Sequence, residues 1–163
     1  MSILVKPYEK KYIKDAVEIW NRVVSDGVAF PQEECLTEES GDKFFTSQSF
    51  TGLAYDSDTE EIVGLYILHP NNIGRCGHIS NASYAVEFSQ RGKHIGEILV
   101  TDCIKKGKEL GFKILQFNAV VKTNIPALKL YKKLGFIQLG TIPGGFLTKA
   151  GKYEDIIPHY ILL

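Results

Sequence analysis

The residues able to do chemistry in this 163-residue chain gather in two short stretches. The first, Val86-Glu87-Phe88-Ser89-Gln90-Arg91-Gly92-Lys93-His94-Ile95-Gly96-Glu97, joins an apolar run, Ile79 to Val86, to an amphipathic one, Ile95 to Leu110. Read as strand, turn and helix, it leaves several backbone N–H groups facing outward at the helix N-terminus. Those donors carry about half a positive charge from the helix dipole and suit an anion such as phosphate. Arg91 and Lys93 add full charges beside them. An ordinary loop kept soluble by basic residues is the alternative, and this stretch alone does not separate the two. The second stretch is Asn124 to Phe136, a helix capped by Asn124 and closed by Gly135, with Ala127, Leu130, Tyr131 and Leu134 on one face. Tyr131 there is either a core aromatic or a proton donor completing a site begun by the first stretch.

Several other chemistries are excluded by inspection. The pairs Gly92-Lys93, Gly107-Lys108 and Gly151-Lys152 are followed by His, Glu and Tyr, so there is no Walker A sequence. Neither G-x-G-x-x-G nor H-E-x-x-H occurs. Cys76 and His78 have no second ligand pair nearby, and no metal site is expected. His69, His78, His94 and His159 are scattered. With 19 basic and 19 acidic residues and a net charge of +0, nothing calls for nucleic acid or an anionic membrane as partner. Cys35, Cys76 and Cys103 are odd in number and widely spaced, which fits a reducing compartment. No apolar run reaches the roughly 18 residues of a membrane span, and Met1 to Lys11 lacks a signal peptide's apolar core. A cytoplasmic protein, monomer or homodimer, is the expectation.

The elements that must position these residues follow from periodicity. Ser2 to Lys6 reads as a strand, and Lys10 to Val24 as a helix with Trp20 facing the core. Gly27 to Leu36 is irregular. Thr37 caps a short helix over Glu38 to Ser47, which Gly41 should weaken. Phe50 to Tyr55 and Ile62 to Leu68 form a hairpin, and His69 to Gly77 a loop. Phe112 to Val121, apolar on both faces, is a central strand. Phe136 to Leu139 and Tyr153 to Leu162 close the sheet across a glycine-rich connector, Thr141 to Gly151. No repeat or linker divides the chain, so one domain over residues 1–163 is expected.

Val86 to Gly96 followed by Asn124 to Phe136 resembles the acetyl-CoA-binding core of the GCN5-related N-acetyltransferase (GNAT) superfamily. Its signature Q/R-x-x-G-x-G/A is met by Arg91 and Gly96, with His94 standing at the middle glycine. Its second signature, N-x-x-A-x-x-L-Y-x-x-x-G-F, is met at Asn124, Ala127, Leu130, Tyr131, Gly135 and Phe136. The resemblance implies an α/β fold with a mixed, mostly antiparallel sheet of six to seven strands, splayed at the cofactor strand and flanked by about four helices. It implies a pantetheine arm along Ala85 and Val86, packed by Ala127 and Leu128 and bonded by Asn124. Backbone amides of Arg91, Gly92, Lys93, His94, Ile95, Gly96 and Glu97 would hold the pyrophosphate. The Val86 N–H would polarise the thioester oxygen and Tyr131 would protonate the departing thiolate. A phenol of pKa ~10 can do that for a thiol of pKa ~8.5.

For the acceptor, Asn81 and Asn118 each interrupt an apolar strand, either to satisfy local backbone or to bond a small polar substrate. Gly74 to Ala82 and Phe117 to Val120 resemble the branch that acetylates proline analogues such as azetidine-2-carboxylate. The Val28 to Glu34 loop, with Phe30 and Glu33, resembles the phosphinothricin-type acetyltransferases. Both point to a small amino or imino acid. Glu33, Glu34, Glu87 and a water chain are the candidate bases. A protein acetyltransferase and a non-catalytic acyl-CoA-sensing module are the competing readings.

Overall fold

The computed structural model describes residues 1–163. In chain order the elements are β1 (Ile3–Pro7), α1 (Ile13–Asp26), α2 (Glu38–Ser47), β2 (Phe50–Asp56), β3 (Ile62–Pro70) and β4 (Ile79–Val86). There follow α3 (Ile95–Glu109), β5 (Ile114–Val121), α4 (Ile125–Lys133), β6 (Ile137–Gln138), β7 (Ile142–Leu147) and β8 (Tyr153–Leu162). The strands form one sheet in the order β1-β2-β3-β4-β5-β8-β6, with β7 also on β8. Only the β4–β5 pairing is parallel.

The apolar alternation along β3 explains the layers. Leu65 and Ile67 face α1 and α2, joining Trp20, Phe45 and Leu53 in one buried cluster. Tyr66 and Leu68 face the other way, joining Leu99, Val100 and Cys103 of α3 in a second. A strand buried on both faces needs apolar residues throughout, as β3 has. Trp20 is 1% exposed and packs 4.4 Å from the ring of Phe30. α1 ends where Gly27 turns left-handed at φ 62, which also aims the following loop back across the sheet.

Three local expectations are revised. The sheet has eight strands, because Thr141 to Gly151 holds β7 where a connector is expected. Its glycines hide the alternation: a Cβ on Gly145 would fall 2.5 Å from Ile156 Cγ1, so β7 lies flat on β8 only without a side chain there. Lys10–Tyr12 is a 3₁₀ turn, and α1 starts at Ile13. Gly41 strengthens rather than weakens the packing of α2, since it lets the helix approach α1. A Cβ there would stand 2.6 Å from Val17 Cγ2 and 3.3 Å from Ile13 Cδ1.

That contact makes a prediction against intrinsic propensity. Gly41→Ala gains up to ~1 kcal/mol of helix propensity, but overpacking of this kind costs about 1–3 kcal/mol. Denaturant unfolding should show net destabilisation; a more stable variant would remove the close-approach explanation.

Candidate active site

The site is built on a divergence between neighbouring strands. β4 and β5 pair only at Ile79–Ile114 and Ser80–Leu115. Beyond that they part, and β5 carries an irregularity between Phe117 and Val120 in its pairing with β8. Which β4 groups face the gap follows from strand parity. The Glu87 N–H donates to the Val63 carbonyl at 2.9 Å and the Asn71 N–H to the Ile79 carbonyl at 2.7 Å. Odd-numbered β4 residues therefore turn their backbone toward β3, and Ala82, Tyr84 and Val86 turn theirs toward the gap. Ala85, expected beside the cofactor arm, turns its backbone to Leu65 of β3 and has its side chain 1% exposed, away from the gap. Tyr84 takes its place beside Val86.

After β4 the chain makes a 3₁₀ turn at Phe88–Gln90 and enters α3 through two left-handed residues, Gly92 at φ 80 and His94 at φ 60. The backbone N–H groups of Gly92, Lys93, His94, Ile95, Gly96 and Glu97 find no partner within the protein. A methyl on Gly92 would meet nothing within 4 Å, and one on Gly96 only Leu130 Cδ2 at 3.7 Å. The fold's own packing therefore does not demand glycine at 96. The Arg91 guanidinium lies 3.9 Å from Asp26 and over the Phe88 ring. Lys133 Nζ donates to both Glu97 oxygens at 2.8 Å, which holds the Glu97 carboxyl below the usual range and offsets its charge beside the amides. Val86, Arg91, Gly92, His94, Ile95, Gly96, Glu97 and Asn124 all line a cavity of about 650 Å³. Lys93 does not, its ammonium donating instead to Gln90 at 2.7 Å.

A second cavity of about 210 Å³ opens between the parted strands, and Ala29, Tyr84 and Asn124 line both. Tyr131 lies on its wall, its ring tilted against Phe117 at 4.6 Å and edge-on to the His159 ring at 5.6 Å. Burial pushes the Tyr131 phenol well above its ordinary pKa and lowers that of His159. Asn124 accepts the Ala127 N–H through Oδ1 at 3.3 Å, capping α4 at the junction of the two cavities.

The sequence also matches a known family directly. The acetyltransferase (GNAT) family profile matches residues 14–136. The chain belongs to the GNAT acetyltransferases. It is 31% identical over 156 residues to the N-acetyltransferase aca1 of Schizosaccharomyces pombe, covering 86% of this chain and 74% of that one. A GCN5-related N-acetyltransferase from Kribbella flavida superposes with a TM-score of 0.90 at 30% identity, over 99% of this chain and 98% of that one. The phosphinothricin acetyltransferase of Sinorhizobium meliloti, solved in complex with acetyl-CoA, shares the fold at a TM-score of 0.91 and 18% identity, covering 100% and 89%. Acetyl-CoA is the acyl donor of this family.

As a GNAT domain, the chain sets its remaining candidate residues as follows. Ala127 lines the smaller cavity, whereas Leu128 lines neither and packs partly buried in the second cluster. Phe30 is buried against Trp20 with one edge on the smaller cavity. Glu33 is not on that wall but beside a neighbouring cavity of about 670 Å³, with Lys149. Glu87 Oε1 accepts the Ser89 N–H at 3.4 Å and caps the 3₁₀ turn. No carboxylate lines the smaller cavity.

Asn81 and Asn118 both line it. They meet through Asn71, which the sequence reading leaves in an undistinguished loop. Asn118 Nδ2 donates to Asn71 Oδ1 at 2.6 Å, and Asn81 Nδ2 to the same oxygen at 3.4 Å. The only signal for it in the sequence is Asn71-Asn72 after Pro70, a common turn composition.

His94 stands in a backbone region that costs a non-glycine residue about 1–2 kcal/mol, while its side chain is 82% exposed. Glycine would relieve the strain but lose more entropy on folding. His94→Gly should therefore change stability by no more than ~1 kcal/mol and, because the cradle is backbone, acetyl-CoA affinity by less than tenfold. Loss of binding by calorimetry would give the imidazole an essential role.

Proposed function

We propose that the chain transfers an acetyl group from acetyl-CoA to the amine of a small amino- or imino-acid-like molecule, directly and within a ternary complex. The observation that carries this is the meeting of the two cavities at Tyr84 and Asn124, with Val86 on one and Tyr131 on the other. Acetyl-CoA, when bound, supplies a thioester carbonyl open to an amine's electron pair and a thiolate that leaves.

The residues fit that group. Six unpartnered amides from Gly92 to Glu97 match phosphate oxygens, and Gly96 keeps the backbone approachable. Arg91, 3.9 Å from Asp26, adds a guanidinium to the wall of the same cavity. Tyr84 and Val86 offer unpaired strand groups to an extended arm, as in strand addition. The Val86 N–H is fixed where it can donate to an oxygen gathering negative charge. Asn124 has its oxygen engaged in the cap, so its N–H hydrogens remain for the ligand. Tyr131 holds a proton on a buried phenol and can give it to a thiolate.

A covalent acetyl-enzyme on cysteine gains no support. Cys103 is 0% exposed with its thiol pushed up to about 12 by burial, and Cys35 and Cys76 line neither cavity. The acceptor's own proton passes to water, since Glu33, Glu34 and Glu87 lie off the pocket wall. A cavity of about 210 Å³ suits a molecule of a few heavy atoms rather than a peptide.

Thiol release read with 5-thio-2-nitrobenzoate, across amino acids, imino acids, polyamines and peptides, tests the reading. Small amino or imino acids should be the best acceptors; activity on peptides alone would overturn it. Tyr131→Phe should lower turnover about ten- to a thousandfold while cofactor affinity holds. In the wild type, turnover should rise with pH as the acceptor amine loses its proton. It should not fall again before pH ~10, because burial keeps the phenol protonated past its ordinary value. Unchanged turnover in Tyr131→Phe would remove that residue from the reaction.

A further inference from the structure

The carboxamides at the mouth of the smaller cavity are wired in one sense. The Ala82 N–H donates to Asn81 Oδ1 at 2.8 Å, and a backbone N–H can only donate, so the Asn81 orientation is fixed. Asn81 Nδ2 must then donate, and it does so to Asn71 Oδ1 at 3.4 Å. That fixes Asn71, whose Oδ1 also accepts Asn118 Nδ2 at 2.6 Å and whose Nδ2 donates to Asn118 Oδ1 at 3.2 Å. Gln116 Nε2 adds a second donor to Asn118 Oδ1 at 3.0 Å.

Counting hydrogens and lone pairs shows what is left over. Asn118 Oδ1 receives two donors and Asn71 Oδ1 receives two, so both are filled. Asn81 Oδ1 is held by the backbone. Each of Asn81 and Asn118 retains one N–H hydrogen, and these two residues, not Asn71 or Gln116, line the pocket. The cluster therefore offers the pocket two N–H hydrogens, and the one carboxamide lone pair left over is on Asn81 Oδ1, an atom pinned to the Ala82 N–H.

We infer that Asn71 is a positioning residue for acceptor specificity: it locks Asn81 and Asn118 with their N–H groups available, which selects an acceptor bearing a carboxylate over one bearing a carboxamide. The inference rests on the small-amino-acid reading above and adds how the acceptor's second group is chosen. No lysine or arginine lines the cavity, so two neutral N–H donors carry the recognition. A carboxylate takes both. A carboxamide presents its own donors on one side, and an unbound asparagine would rotate to accept them. Asn71 is what prevents that rotation. It acts from outside the pocket, held by its own backbone N–H on the Ile79 carbonyl at 2.7 Å.

The test is the ratio of kcat/KM for an amino acid to that for its own carboxamide, in wild type, Asn71→Ala, Asn71→Leu and Gln116→Met. The wild type should prefer the carboxylate. Both Asn71 variants should lower the preference about tenfold or more, mainly through the KM of the carboxylate form, with acetyl-CoA affinity unchanged. Gln116→Met should do so less, because only one of the two donors to Asn118 is lost. An unaltered preference in the folded Asn71 variants overturns the inference. A wild type with no preference instead overturns the substrate reading. Side-chain amide NMR then decides on Asn71 independently of any acceptor. The two carboxamide protons of Asn118 and of Asn81 should be well separated in the wild type and drawn together in Asn71→Leu. Identical spectra would overturn the lock.

Discussion

Everything at this site depends on β4 and β5 separating after two paired residues. A parallel pair left unpaired in the middle of a sheet exposes backbone groups that would cost about 1–3 kcal/mol each if buried without partners. The fold meets that cost by ligand access. Beneath the gap, Tyr84 and Phe117 meet edge to face at 5.7 Å, and Phe117 packs tilted on Tyr131 at 4.6 Å and stacks on Phe136 at 4.8 Å. Tyr84, Phe117, Tyr131 and Phe136 thus form one aromatic layer beneath the parted strands. The irregularity of β5 after Phe117 turns Asn118 and Ala119 out of the β8 ladder and toward the opening. The opening therefore lies directly over a packed part of the core.

That layer also sets the electrostatics. Tyr84, Cys103 and Tyr131 are all driven toward their neutral forms, chiefly by burial. The floor of the cleft therefore carries no charge of its own at neutral pH. Charge is kept at the rim, where Arg91 lies against Asp26 and Lys133 against Glu97. In the proposed reaction a thiolate leaving above such a floor would be poorly solvated, and a buried phenol such as Tyr131 could supply its proton. Donation from a phenol of raised pKa is uphill in isolation. It would become workable if burial raised the departing thiol's pKa in the same way.

Local signals carried most of the architecture. Helical and alternating periodicities marked all four helices and seven strands, since each buries one face or both, and the two GNAT signatures fall where backbone geometry is itself the function. Four features escaped because they depend on a partner distant in sequence. β7 was hidden by glycines that only its packing on Ile156 explains. Gly41 read as a weakness until Val17 was seen against it. Ala85 read as a cleft residue because parity cannot be assigned before it is known which side of β4 carries β3. Asn71 had no distinguishing local pattern, because its meaning lies in Asn118, 47 positions away.

The same accounting of donors extends across the whole opening. Asn124 Oδ1 is taken by the Ala127 N–H, and Asn81 Oδ1 by the Ala82 N–H. In each case a nearby backbone donor engages the side-chain oxygen, leaving both N–H hydrogens of Asn124 and one of Asn81 for a ligand. From Gly92 through Glu97, then Tyr84 and Val86, then Asn124, Asn81 and Asn118, the groups facing the opening include N–H donors at every step. The molecules proposed to meet there are rich in the opposite: phosphate oxygens, amide and thioester carbonyls, and a carboxylate. A net charge of +0 is no obstacle to binding such ligands, because oriented N–H dipoles supply positive potential without a surplus of lysine or arginine. It also explains how an imidazole can occupy a glycine position at His94. The donors are backbone, and a side chain that points out to solvent does not remove one.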